Sequence, residues 1–137
     1  MRKIIDKVKN FKQFNENKDS KYLTLYHGSD EYFENFKLNK KKDGFNAFGD
    51  GIYFVDNKNV ANDYGEYIYK CEVLINKVFD ADKNIEEYNR IREIDTNTTP
   101  ILIRNGYDSL KINKNYFNIF IVFDVNSIKI TSVDKFS

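Results

Sequence analysis

Several residue types that mark particular protein classes are scarce in this chain of 137 residues. There is one cysteine, Cys71, and one histidine, His27, so neither a disulfide framework nor a His/Cys cluster with metal-ligand spacing can form. No apolar run reaches the roughly 18 residues that a membrane span needs. The N-terminus has charge but no apolar signal core. These absences predict a metal-free, cytoplasmic protein with no membrane partner.

An excess of charge of one sign is also lacking. The 22 Lys and Arg residues are balanced by 21 Asp and Glu residues, for a net charge of +1. A nucleic-acid partner is therefore not indicated, because such proteins usually carry a basic surface. Aromatic residues, in contrast, make up 16% of the chain, and hydrophobic residues 41%. That composition suits one globular domain with a buried core.

Short apolar runs separated by turn residues predict an α+β fold. Runs rich in β-branched and aromatic residues indicate strands at 23–26, 52–55, 67–75, 108–112, 117–123 and 128–133. Helical spacing indicates helices at 1–15, 57–64, 82–94 and 99–104. Regular βαβ alternation is missing, which favours two packed, mainly antiparallel β-sheets with peripheral helices. We divide the chain into an N-terminal amphipathic helix and linker at 1–20 and a domain at 21–137.

The stretch 49–64 is the one around which the domain is organised. It reads as a Gly-rich turn, a strand carrying Tyr53, and a short helix whose N-cap is Asp56 or Asn57. Ala61 and Tyr64 share a face of that helix, since residues three apart are neighbours. The two tyrosines, eleven residues apart, could therefore converge and form a slot for a flat ring.

The first strand ends in Tyr26-His27-Gly28-Ser29. A lone histidine is more often a structural residue than a catalytic one, and that interpretation stays open. A glycine at a strand end favours the alternative, because its backbone can grip an amide while the imidazole reaches a sugar hydroxyl. Ser29 adds a hydroxyl at the same place.

A lysine-rich stretch, 37–48, has no clear periodicity. It is either a solvated surface loop or a mobile flap whose cations meet phosphate oxygens.

Three features taken in order resemble a known family. They are Tyr-His-Gly-Ser at the end of the first strand, Gly-Ile-Tyr-Phe at 51–54, and a second tyrosine eleven residues after the first. This set resembles the ADP-ribosyltransferases, in the diphtheria-toxin and poly(ADP-ribose) polymerase branch with its His, Tyr and Glu motif. Residues 105–109 and 120–129 are similar to small phage-associated members. The resemblance extends from about residue 23 to residue 130.

The resemblance implies that NAD+ is the substrate. In such enzymes the histidine, here His27, contacts the ribose next to nicotinamide, and the glycine, here Gly28, pairs its backbone with the carboxamide. The tyrosines corresponding to Tyr53 and Tyr64 stack on the nicotinamide ring. The further positions expected to line the NAD+ site are Ser29, Phe54 and Ala61.

The third motif departs from the family pattern. The family's Glu aligns with Ile119, and the neighbouring Asn118 is the nearest polar substitute. Side chains alternate along a strand, so only one of the two can face the crevice; the alignment favours Ile119. We therefore place Ile119 and Asn118 with His27 and Tyr53 as candidate catalytic positions. Without the acid, polymer elongation is not expected, and single transfer remains open.

The predicted function is mono-ADP-ribosyl transfer from NAD+ to a macromolecule, with protein the favoured acceptor. A phage or other mobile element could encode such a chain as a toxin or as an inhibitor of host defence. One alternative is a catalytically inactive module of the same fold that binds NAD+, ADP-ribose or a protein. Another is a structural domain in which the motif residues are only core residues.

Overall fold

A computed structural model of the protein describes residues 21–38 and 47–136. The helix and linker predicted at 1–20, and most of the lysine-rich stretch, lie outside the described residues. Within the described ranges there is no helix long and apolar enough to cross a membrane.

The described residues form seven strands, three α-helices and two short 3-10 helices. The strands are β1 (Lys21–Ser29), β2 (Ile52–Val55), β3 (Tyr67–Ile75), β4 (Val78–Asp80), β5 (Ser109–Asn113), β6 (Asn118–Val122) and β7 (Ile128–Lys135). The α-helices are α1 (Lys58–Ala61), α2 (Ile85–Ile94) and α3 (Thr99–Arg104), and the 3-10 helices are Asn62–Tyr64 and Val125–Ser127. The predicted α+β class is confirmed.

All seven described strands are hydrogen-bonded into one sheet in the order β4-β5-β6-β2-β1-β3-β7. Neighbours are antiparallel except β4 and β5, which are parallel, so the predicted antiparallel character is confirmed. The prediction of two separate packed sheets is not confirmed. The pairing between β1 and β2, at the centre of the sheet, is nevertheless short. Strand β1 pairs with β3 at nine positions but with β2 at only one, Tyr26 with Val55.

Local sequence explains where the helix α1 begins and ends. The side chain of Asn57 accepts a hydrogen bond from the backbone N–H of Asn59 at 2.9 Å, which confirms the N-cap predicted at Asp56 or Asn57. The helix then tightens into the 3-10 turn and ends at Gly65. The three-residue strand β4 was not predicted, because it is too short to show alternation.

The core lies on both faces of the sheet. Phe54 packs with the cluster that includes Leu25 and Tyr69, whereas Val55 and the half-buried Tyr53 pack with the opposite cluster. This division follows from the period of two along strand β2. The helices α2 and α3 contribute buried residues to the second of these clusters.

Candidate active site

The imidazole of His27 links strands β1 and β2 just beyond their single paired position. Its Nδ1 lies 2.6 Å from the backbone carbonyl oxygen of Tyr53. A carbonyl can only accept a hydrogen bond, so Nδ1 carries the proton and donates it. In the neutral ring this leaves Nε2 with its lone pair, ready to accept a hydrogen bond from a hydroxyl group.

Aromatic rings surround this imidazole. Phe36 approaches it edge-on with ring centroids 5.0 Å apart, and Phe54, Phe33 and Tyr69 lie at 5.8, 6.0 and 6.2 Å. Burial lowers the pKa of His27 below its ordinary value, although the hydrogen bond to Tyr53 acts in the opposite direction. The histidine is therefore mainly neutral at pH 7, with its one ring proton on Nδ1.

Gly28 is required by a close approach of helix α1. A Cβ atom on Gly28 would overlap the carbonyl oxygen of Ala61 and stand 3.1 Å from Cβ of Tyr64. Ala61 is fully buried. The structure thus brings together three of the predicted site positions, since the backbone of Gly28 lies directly against the C-terminal end of the helix.

The hydroxyl group of Tyr53 is engaged by the loop that precedes its own strand. It accepts a hydrogen bond from the backbone N–H of Phe48 at 2.9 Å and donates one to the carbonyl of Gly49 at 2.7 Å. Burial raises the pKa of Tyr53 to about 12, so the phenol stays protonated at neutral pH. The ring of Tyr53 is stacked on Phe48 with centroids 6.4 Å apart. This geometry suits a role for the ring rather than for the hydroxyl.

That loop is in turn fastened to the start of helix α3. Thr99 Oγ1 donates to the carbonyl of Asp50 at 2.6 Å, and Asn97 Oδ1 accepts from the Asp50 N–H at 2.9 Å. Gly49 has a positive φ of 109°, and a Cβ there would stand 2.7 Å from Thr99 Oγ1. Asn97 and Thr99 therefore determine the position of the loop that holds Tyr53.

Tyr64 and Ser29 are the more open members of the predicted set. Tyr64 is 55% exposed, and no ring–ring contact joins it to Tyr53 in the described part of the chain. The hydroxyl of Ser29 makes a local turn: it accepts from the N–H of Glu31 at 3.1 Å and donates to its carbonyl at 2.9 Å. Phe54, also predicted, is 1% exposed, and its ring packs edge-on against the His27 ring.

The two candidates at the third motif have different environments. Asn118 is bound to Asp56: its backbone N–H and its side-chain amide donate to the two carboxylate oxygens at 2.8 and 2.9 Å. Ile119 is 7% exposed and lies in the same core cluster as Val55 and Tyr53. Ile119 thus occupies the sheet face that carries the Tyr53 ring, whereas the His27 ring packs with Phe54 and Tyr69 on the other face.

Sequence reasoning missed several supporting residues. Phe33, Phe36 and Tyr69 surround His27, and Asn97 and Thr99 hold the Tyr53 loop. The spacing of the two phenylalanines after the histidine is the one feature of the sequence that could have indicated them. The described ranges contain no group of three or more His, Cys, Asp or Glu side chains that could hold a metal ion.

Comparison with solved structures finds, among others, a crystal structure of an anti-CRISPR protein. The match has a TM-score of 0.49 and 16% sequence identity, over 87% of this chain and 97% of that chain. No curated protein matches the sequence.

A family model covers nearly the whole domain. It is ART-PolyVal, described as the ADP-ribosyltransferase in polyvalent proteins, and it matches residues 17–136. The match includes every candidate site residue and supports ADP-ribosyltransferase activity in general. The chain belongs to this family of ADP-ribosyltransferases.

Proposed function

We propose that this protein is a mono-ADP-ribosyltransferase of the diphtheria-toxin-like branch that takes ADP-ribose from NAD+ and attaches it to a protein. The observation that carries the proposal is the neutral His27, held by the Tyr53 carbonyl where β1 and β2 part. Because Nε2 carries no proton in this tautomer, it can accept a hydrogen bond from a ribose hydroxyl bound where the two strands separate. That bond strengthens as positive charge develops on the ribose, and so favours the transition state.

The strand edge beside His27 supports the binding of a carboxamide. Strand β1 stays paired with β3 as far as Ser29, but its ladder with β2 is the one pair at Tyr26. The β2-facing edge of residues 27–29 therefore lies outside that ladder, and Gly28 has no side chain to obstruct it. Backbone groups at such an edge suit the N–H and C=O of an amide. The rings of Tyr53 and Tyr64 would flank the bound nicotinamide.

The reaction balances without a metal or a redox partner. The bond between ribose C1′ and the nicotinamide nitrogen breaks, and its electron pair leaves on nicotinamide. A nucleophilic atom of the acceptor forms the new bond to C1′, and the proton of that atom passes to solvent. With the buried Ile119 at the third motif, the acceptor supplies its own activation, which fits single transfer and not chain elongation.

Nicotinamide release tests the proposal. Purified protein incubated with NAD+ and a cell lysate should release nicotinamide and label a protein band with ADP-ribose. His27→Ala should lower turnover more than NAD+ affinity, since the lost bond is strongest in the transition state. Binding of NAD+ with no nicotinamide release, in the presence of several lysates, would contradict the transferase.

The proposal that a phage or other mobile element encodes the enzyme, against a host target, rests on the sequence resemblance alone. Labelling of lysates from candidate host bacteria addresses it. A labelled host protein whose activity changes on modification would support a toxin or a defence inhibitor. Labelling confined to the enzyme itself would argue against a host target.

A further inference from the structure

A short segment after strand β1 covers the face of the sheet on which His27 lies. We call residues 31–36 the aromatic strap. Its Phe33 and Phe36 rings contact the imidazole at centroid distances of 6.0 and 5.0 Å and contact each other at 4.8 Å. The strap is not a regular helix or strand, so its position depends on what holds it.

Tyr69 holds the strap at one point through both its hydroxyl group and its ring. Its Oη accepts a hydrogen bond from the backbone N–H of Phe33 at 2.6 Å and donates one to the carbonyl of Phe33 at 3.0 Å. Its ring is stacked on the Phe33 ring, with centroids 4.1 Å apart and planes inclined by 8°. The side chain of Tyr69 is fully buried, so these bonds do not compete with solvent.

Tyr69 is also the cross-strand neighbour of His27. The two residues are directly paired between β1 and β3, and their side chains lie on the same face. One residue therefore contacts the imidazole and fixes the segment that covers it. Of the residues packed on the imidazole, Phe33, Phe36 and Phe54 are apolar, and Tyr69 is the one that can ionise.

We propose that Tyr69 is a positioning residue for His27: by bonding the backbone of Phe33 it keeps the aromatic strap against the imidazole. The strap limits rotation of the ring and keeps water from the part of the imidazole that Phe33 and Phe36 cover. The effect on catalysis rests on the proposed function. The expected effect on the pKa of His27 does not rest on the proposed function, because it is measured on the protein without substrate.

The test is Tyr69→Phe, which keeps the ring and removes the hydrogen bonds of the hydroxyl group to the strap. His27 is the only histidine, so its C–H resonance can be followed by NMR without assignment of other histidines. A loosened strap admits water, and we expect the pKa of His27 to rise towards its ordinary value. In the nicotinamide-release assay kcat/KM should fall about fivefold, the factor that corresponds to ~1 kcal/mol, and the acidic limb of its pH profile should move to higher pH.

Tyr88→Phe is the matched control. Its hydroxyl is buried and has no hydrogen-bond partner in the described part of the chain, and Tyr88 lies in the opposite core cluster. It should leave the His27 pKa unchanged. Phe33→Leu gives an independent test, because it removes the stack and keeps the backbone bonds; it should raise the His27 pKa by a smaller amount.

Each outcome decides the inference. A folded Tyr69→Phe protein with an unchanged His27 pKa and pH profile, whatever its loss of stability, means that Tyr69 is only structural and overturns the proposal. If Tyr69→Phe does not fold, an unchanged pKa in Phe33→Leu overturns it equally. If the wild-type protein releases no nicotinamide, the proposed function fails, and the His27 pKa still tests the role of Tyr69.

Discussion

The Nδ1 atom of His27 donates a hydrogen bond to the backbone carbonyl of Tyr53 over 2.6 Å, so the two motif residues are joined through the main chain of one and the side chain of the other. Replacing the Tyr53 side chain leaves this bond in place, whereas replacing His27 removes it. The two residues can therefore be tested separately. Because the imidazole is part of the contact between the two strands, the protonation state of His27 should affect the stability of the fold.

The stability of the fold should depend on this histidine below neutral pH. Because burial lowers the His27 pKa from 6.5, the unfolded state binds a proton at a higher pH than the folded state does. The free energy of unfolding is thus unaffected above about pH 6.5, and it falls as the pH drops from there to the folded-state pKa, by up to about 1.4 kcal/mol per pH unit. Urea denaturation at several pH values measures it.

A His27→Gln variant is the control for that measurement. It lacks the titrating group and keeps every carboxylate, so the wild-type protein should lose more stability than the variant below pH 6.5. Parallel pH dependences of the two proteins would show that His27 is not held neutral.

The ring and the hydroxyl of Tyr53 should make separable contributions. Tyr53→Phe removes the bonds to Phe48 and Gly49 and should lower the free energy of unfolding by about 1–2 kcal/mol, with a smaller loss of NAD+ affinity than the loss of the whole ring causes. Tyr53→Ala removes the ring and should weaken NAD+ binding by about 1–3 kcal/mol, the scale of stacking on a base. Calorimetric titration distinguishes them. Equal affinities for wild-type protein and Tyr53→Ala would contradict the proposed slot.

Local patterns in the sequence were enough to predict most of the elements. Strand β3, Tyr67–Ile75, has the predicted bounds, because alternation and apolar content agree over nine residues. Helix α3 starts with Thr99 before Pro100 as predicted, since proline suits the first helical turn. Strand β4, with three residues, gives no such signal.

The long-range hydrogen bonds that hold the candidate site residues could not be predicted from local patterns. The bond from Thr99 to Asp50 joins residues 49 positions apart, and that from Tyr69 to Phe33 joins residues 36 apart. Such pairs depend on sheet order and on loop paths, which hydrophobic periodicity does not determine. Motif resemblance makes His27 and Tyr53 candidate site residues, but it gives no indication of the residues that contact them.

The tether between α3 and the Tyr53 loop should affect binding from a distance. Thr99→Val keeps the shape and removes the 2.6 Å bond to the Asp50 carbonyl. We expect a loss of about 0.5–1.5 kcal/mol in stability, from the lost hydrogen bond, together with weaker NAD+ binding. Thr131→Val removes a comparable 2.9 Å bond to the Lys70 carbonyl at the sheet edge and should not change NAD+ affinity. If the two variants bind NAD+ equally well, the tether does not position Tyr53.

The single thiol should report on unfolding. Cys71 is fully buried, and burial raises its pKa to about 12, so it is protonated and inaccessible in the folded protein. At pH 8 its reaction with a thiol reagent should be slower than in urea by about 10³-fold or more, because it proceeds through rare opening. Rapid labelling without urea would show that the β3 core opens readily. The same reaction verifies that each variant above is folded.

The last prediction concerns the missing acid. Ile119 lies on the sheet face that carries the Tyr53 ring, opposite the face on which His27 packs with Phe54 and Tyr69, and it is almost fully buried. Ile119→Glu would therefore place a carboxylate on the Tyr53 side of the proposed slot, where it could stabilise the positive charge that develops on the ribose. We expect NAD+ hydrolysis, measured as nicotinamide release without an acceptor, to rise at least about tenfold; one well-placed charged group can contribute ~10²–10³. Ile119→Gln has the same length without the charge and should not produce the gain.

Burying the carboxylate will cost several kcal/mol of stability, so Cys71 protection must first show that the variant is folded. A folded Ile119→Glu protein that hydrolyses NAD+ no faster than Ile119→Gln would mean that position 119 is not the third-motif position.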